Sequence, residues 1–169
     1  MTSKKKSLPQ IIILALQKLE DSILIGLLLS MICMAVLQII LRNLFDSGIL
    51  WGDELIRVLV LWIGLIGAMV ASRNNHHISI DVISRYLPEQ IKKQTALITA
   101  IFTSLVCAVM AYFSFRFVMM EKADGLVAFA ATPTWVCESI IPISFAIITL
   151  RYLLLSFSCL VKLFKRIPQ

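Results

Sequence analysis

The sequence predicts an all-α integral membrane protein with four transmembrane helices and one or two amphipathic helices lying in the membrane plane. Three observations carry that expectation. Of the 169 residues, 59% are hydrophobic and 15% charged, whereas an ordinary soluble domain is about half apolar and a quarter charged. Mean hydropathy is +0.90. The apolar residues gather into four runs near the length of about 20 residues that crosses a hydrocarbon core about 30 Å thick, and charges bound each run.

Residues 1–9 contain Lys4, Lys5 and Lys6 and end at Pro9. The apolar stretch and small-residue cleavage site of a secretory signal do not follow. Ile11 to Leu16 is too short to span and is broken by Gln17, Lys18, Glu20 and Asp21. With Leu19 and Ile23 it continues one helical face, so residues 10–20 are expected to form an interfacial helix. The first span follows over residues 22–41, uncharged and closed by Arg42. Its one large polar side chain, Gln38, is expected to meet interfacial water, with a neighbouring helix as the alternative.

Residues 42–52 (RNLFDSGILWG) are a short connection rich in turn residues. The second span covers residues 53–72. Asp53 and Glu54 stand in its first turn, where the helix dipole favours negative charge. Arg57 follows them at helical spacing, so a local ion pair on one face is expected. Trp51 is placed as an interfacial anchor. Gly64, Gly67, Ala68 and Ala71 supply small residues at spacings that permit close helix packing in lipid.

The next connection, residues 73–94, is too polar to span. Ile78, Val82, Ile83 and Tyr86 recur at helical intervals with polar residues between them. An in-plane amphipathic helix over residues 78–87 follows, with His77, Asp81 and Tyr86 as interfacial anchors. Leu87-Pro88 stops it. The third span covers residues 95–115 and is closed by Arg116. The fourth covers residues 136–161, with Glu138 near its start, Pro142 in its early turns and Arg151 inside the apolar region. Arg151 is expected to snorkel or to find a carboxylate or backbone-carbonyl partner.

Basic residues set the orientation. Lys4, Lys5, Lys6, Lys18, Arg73, Arg85, Lys92, Lys93, Lys162, Lys165 and Arg166 fall on one side, against Arg42, Arg57, Arg116 and Lys122 on the other. Both termini are therefore expected in the cytoplasm. No Gly- or Ser-rich linker divides the chain, so residues 1–169 are read as a single membrane domain.

Several function classes are disfavoured. The net charge of +6 lacks the basic stripe and stacking aromatics of a nucleic-acid binder. The four cysteines, Cys33, Cys107, Cys137 and Cys159, lack metal-ligand or redox spacing. His76 and His77 are adjacent, point about 100° apart on a helix, and have no companion ligands at metal spacing. They also stand outside the spans, unlike the histidines of a haem anchor. No nucleophile–base pair suggests an enzyme. No acidic residue stands mid-span, as a proton-coupled pump would want.

The residues Gln38-x-x-x-Arg42, Trp51-x-Asp53-Glu54-Leu55-x-Arg57, Trp62, Gly67-Ala68, Arg73 and His77-Ile78-x-Ile80-Asp81 resemble the small membrane subunit of TRAP transporters, the DctQ-like family. The resemblance covers residues 17–160, is most specific over 51–81, and includes Pro133, Trp135 and Pro142. It implies a tripartite importer in which a periplasmic solute-binding protein captures an organic acid and a large membrane subunit moves it with sodium. The small subunit would bind and scaffold the large one in the bacterial inner membrane, with no cofactor and no substrate site of its own. Candidate partner-interface residues are Arg42, Trp51, Glu54, Arg57, Gly64, Gly67 and Ala68. Asp53 departs from the expected pattern, which shifts weight to Glu54 and Arg57. The rival readings are a self-sufficient four-span channel or transporter and the membrane anchor of a redox complex.

Overall fold

The computed structural model describes residues 8–74, 89–128 and 131–164. They form helices α1 (Leu8–Phe45), α2 (Gly52–Asn74), α3 (Glu89–Asp124), α4 (Thr134–Glu138) and α5 (Ile140–Phe164). Among the described residues there is no strand, only an isolated antiparallel bridge between Val127 and Pro133. Four segments are long and apolar enough to cross a membrane: Leu14–Phe45, Gly52–Arg73, Gln94–Asp124 and Thr134–Val161. The all-α, four-span expectation is met.

The helices outrun the spans expected from sequence. Residues 10–20, expected as an interfacial helix leading into the first span, run without a break into it as one helix of 38 residues. At 1.5 Å per residue that is about 57 Å, well beyond the hydrocarbon core. Likewise α3 continues through Arg116 to Asp124. Arg and Lys are good helix formers, so they mark where the bilayer ends rather than where the helix does. The stop comes at Gly125, whose φ of 64° suits a residue without a Cβ. The in-plane helix over 78–87, with His77, Asp81 and Tyr86, lies outside the described residues.

The fourth span is not one helix. Ser139 separates α4 from α5. Pro142 accounts for the break, since it donates no N–H to the carbonyl of Glu138 and its ring crowds that carbonyl. The Ser139 hydroxyl donates to the Val136 carbonyl at 2.7 Å and helps close the short helix.

The chain divides into two compact units, Met1–Val70 and Ala71–Gln169. In the second, α3 packs against α5 and α4. Its buried side chains recur at helical spacing: Ala100, Ser104, Cys107 and Val118 on α3, with Cys137, Ile140, Ser144 and Ile148 on α4 and α5. Small residues at 100, 104 and 144 allow the two backbones to approach, the usual packing device where lipid supplies no hydrophobic drive. Ser144, with 0% exposure, satisfies its hydroxyl on the Ile140 carbonyl of its own helix at 2.6 Å. Thr149 does the same to Phe145. Elsewhere the helices carry large apolar side chains on open surface, such as Leu19, Ile25, Leu29 and Ile39 on α1. That distribution is expected where the surroundings are lipid or another subunit.

Candidate functional site

The polar chemistry of the first unit is concentrated where α1 turns into α2. Asp46 takes a left-handed backbone with φ 47°, a conformation Asp tolerates better than most residues. The Ser47 amide folds back towards the Leu41 carbonyl at 3.4 Å, and the Gly52 amide donates to the Ile49 carbonyl at 2.9 Å. The connector, residues 46–51, is thus a compact turn whose ends face the last turns of α1.

Gln38 reaches across from α1. Its Nε2 donates to the Ile49 carbonyl at 3.0 Å and to Asp53 Oδ1 at 3.3 Å. Its Oε1 accepts from the Ile49 amide at 3.2 Å. Arg42, one turn further along α1, donates through Nη2 to Asp53 Oδ2 at 2.6 Å. Both oxygens of Asp53 are therefore engaged, one by an amide and one by a guanidinium. Gln38 is only 4% exposed, and a buried amide is costly unless its groups are bonded. Gly52 completes the clasp by absence of bulk, because a Cβ there would stand 2.8 Å from Gln38 Nε2.

Gln38 meets the connector and α2, the neighbouring-helix alternative, in place of interfacial water. Asp53 is the residue the clasp holds: its ion-pair partner, Arg42, lies 11 residues before it, and Arg57, four residues after it, also acts electrostatically on its carboxylate. The Gln38-x-x-x-Arg42 spacing was the available signal: it puts an amide and a cation on one face of α1, aimed at whatever follows the turn.

The remaining candidates fall along α2. Trp51 is 40% exposed. Glu54, Arg57, Val60, Gly64 and Ala68 are exposed at helical spacing, while Leu59, Ile66 and Met69 are buried. At Gly64 and Gly67, apart from the adjacent residues and the helix's own backbone, no described heavy atom lies within 4 Å of where a Cβ would stand. So α2 carries an open face of small residues with an acid and a base at one end. Arg151, in the second unit, donates through Nη1 to the Ser72 hydroxyl at 3.2 Å. Among the described residues no group of His, Cys, Asp or Glu is arranged to hold a metal ion.

The family model for the DctQ component of tripartite ATP-independent periplasmic transporters matches residues 31–162. The chain belongs to the DctQ family. The clasp and the open face of α2 both lie within the matched stretch. The chain is also 32% identical over 80 residues to the sialic acid TRAP transporter permease protein SiaT of Haemophilus influenzae, covering 47% of this chain and 13% of that protein. It is 27% identical over 139 residues to the ectoine TRAP transporter small permease protein TeaB of Halomonas elongata, covering 82% and 72%. Against the C4-dicarboxylate TRAP transporter small permease protein DctQ of Vibrio cholerae it is 28% identical over 80 residues, covering 47% and 34%. In SiaT and in this last relative the matched stretch is thus a minor part of the whole. Family membership together with four apolar helices makes the DctQ-family chain a multi-pass membrane protein.

Proposed function

We propose that this chain is the small membrane subunit of a tripartite importer of an organic acid, a carboxylate such as sialic acid or a C4-dicarboxylate. It binds and scaffolds a large membrane subunit that carries the substrate and sodium sites, while a periplasmic solute-binding protein delivers the solute. The distribution of Lys and Arg supports a place in the bacterial inner membrane with both termini in the cytoplasm. The clasp then faces the periplasm.

One observation carries the docking role: the open face of α2 over Glu54, Arg57, Val60, Gly64 and Ala68. Glycine on a lipid-facing surface contributes nothing, whereas it lets the backbone of a second helix approach closely. Two further features support a scaffold over a transporter in its own right. Among the described residues the acidic groups of the four spans, Glu20, Asp21, Asp53, Glu54, Glu121, Asp124 and Glu138, all stand near span ends. Relatives named for sialic acid, ectoine and C4-dicarboxylates resemble this chain to similar degrees, which suits a part that does not choose the solute.

The test is co-purification with the large subunit. Filling the face with Gly64→Leu and Ala68→Leu together is expected to lower the amount retained by about tenfold or more, equivalent to about 1.4 kcal/mol. Glu54→Lys and Arg57→Glu are expected to act in the same direction. Unchanged retention and uptake in these variants, with the small subunit at its normal level in the membrane, would overturn the docking reading.

A further inference from the structure

We propose that Gln38 is a positioning residue: its buried amide locks the α1–α2 connector onto Asp53 and Arg42, so that the start of α2 is presented to the large subunit as a preformed docking foot. The inference rests on the docking reading above and adds which residues build the foot and which touch the partner.

The geometry divides the charges into two groups. Asp53 is occupied within the chain, with Oδ1 taken by Gln38 and Oδ2 by Arg42. Glu54 and Arg57 stand on the open face of the same helix. Asp53 therefore sets the position of α2 against the connector, and Glu54 and Arg57 are left to face a partner. Gln38 is the one member that reaches every other part. It bonds both backbone groups of Ile49 and the Asp53 carboxylate, and it lies against Gly52. Nothing local could do this, because the connector has left helical geometry and Ile49 is 11 residues away. A connector fixed before binding spares the ordering cost that a loose one incurs on docking. Leu50, 98% exposed, and Trp51, 40% exposed, are carried outward on that fixed turn.

An exchange of the two partners tests this. Gln38→Glu places two carboxylates where one amide and one carboxylate met. Asp53→Asn removes the ion pair with Arg42. The double variant, Gln38→Glu with Asp53→Asn, restores one carboxylate facing one amide with the negative charge still near Arg42, while the Ile49 carbonyl keeps no donor from position 38. Two readouts are taken on the full chain. The first is the rate of chymotryptic cleavage within residues 44–51 of the purified small subunit, which reports local opening. The second is retention of the co-expressed large subunit.

Each single variant is expected to raise cleavage about tenfold and to lower retention, and the double to show a defect clearly smaller than the product of the two, since coupled residues are not additive, without full return to the native rate, because the bond to the Ile49 carbonyl stays lost. Native cleavage rates in the single variants, or a double variant whose defect is the product of the two, would overturn the clasp. Raised cleavage with retention unchanged in all variants would overturn the positioning role. Should the native chain itself retain no large subunit, the docking reading fails, and the cleavage rates still decide whether Gln38 holds the connector.

Discussion

Replacing Ser144 with leucine is expected to destabilise the α3–α5 pair by about 1–3 kcal/mol, the usual cost of forcing extra methylenes into a packed site. Ser144 has 0% exposure, and the small residues Ala100 and Ser104 of the packed α3 face, 1% and 4% exposed, show how little room the second unit keeps. Ser144→Ala is the informative control. The hydroxyl bonds only the Ile140 carbonyl of its own helix among the bonds seen, and hydrogen bonds inside membrane proteins average about 0.6 kcal/mol. Unfolding of the purified chain in a denaturing detergent should rank native and Ser144→Ala close together, with Ser144→Leu well below both. A larger loss for alanine than for leucine would mean that the hydroxyl, rather than the close approach, matters at this position.

Gly52→Ala is the second substitution with a large expected effect. The added methyl would stand 2.8 Å from Gln38 Nε2 and 3.0 Å from Cδ and Oε1. A surface glutamine would swing aside, but this one is held by bonds to Ile49 and Asp53. Moving it forfeits several bonds worth about 0.5–1.5 kcal/mol each and leaves the Ile49 backbone to find other partners. Hydrogen exchange at the Ile49 amide should accelerate by about tenfold or more, since about 1.4 kcal/mol corresponds to a factor of ten. At Gly26 nothing lies within 4 Å, so Gly26→Ala should be neutral or mildly stabilising, by up to about 1 kcal/mol. Equal behaviour of the two glycine variants would remove the steric basis of the clasp.

Much of this architecture was legible in the sequence, and the limits have physical reasons. Apolar runs bounded by charge gave the four spans, because the cost of a charge in hydrocarbon is large enough to write itself into composition. Helix ends were not legible from the same signal. Lys18 and Arg116 lie within helices that carry on past the apolar run, whereas Gly125 and the crowding of Glu138 by Pro142 interrupt the backbone itself. The spacing of four between Gly64 and Ala68 stands on an open face of α2, whereas the same spacing between Ala100 and Ser104 stands on a face this chain buries itself. Periodicity identifies a face but not what covers it. The clasp was the least legible feature, because helical spacing relates residues three or four apart, and Gln38 meets residues 11 and 15 positions on.

The central claim is that this chain supports transport without providing a path for the solute. Reconstitution into proteoliposomes tests it most directly, with the small subunit alone, the large subunit alone and the two together, each supplied with solute-loaded binding protein and an inward sodium gradient. No solute flux is expected from the small subunit alone, and uptake by the pair should fall when Gly64→Leu and Ala68→Leu are introduced. Saturable solute flux through the small subunit alone would contradict the claim.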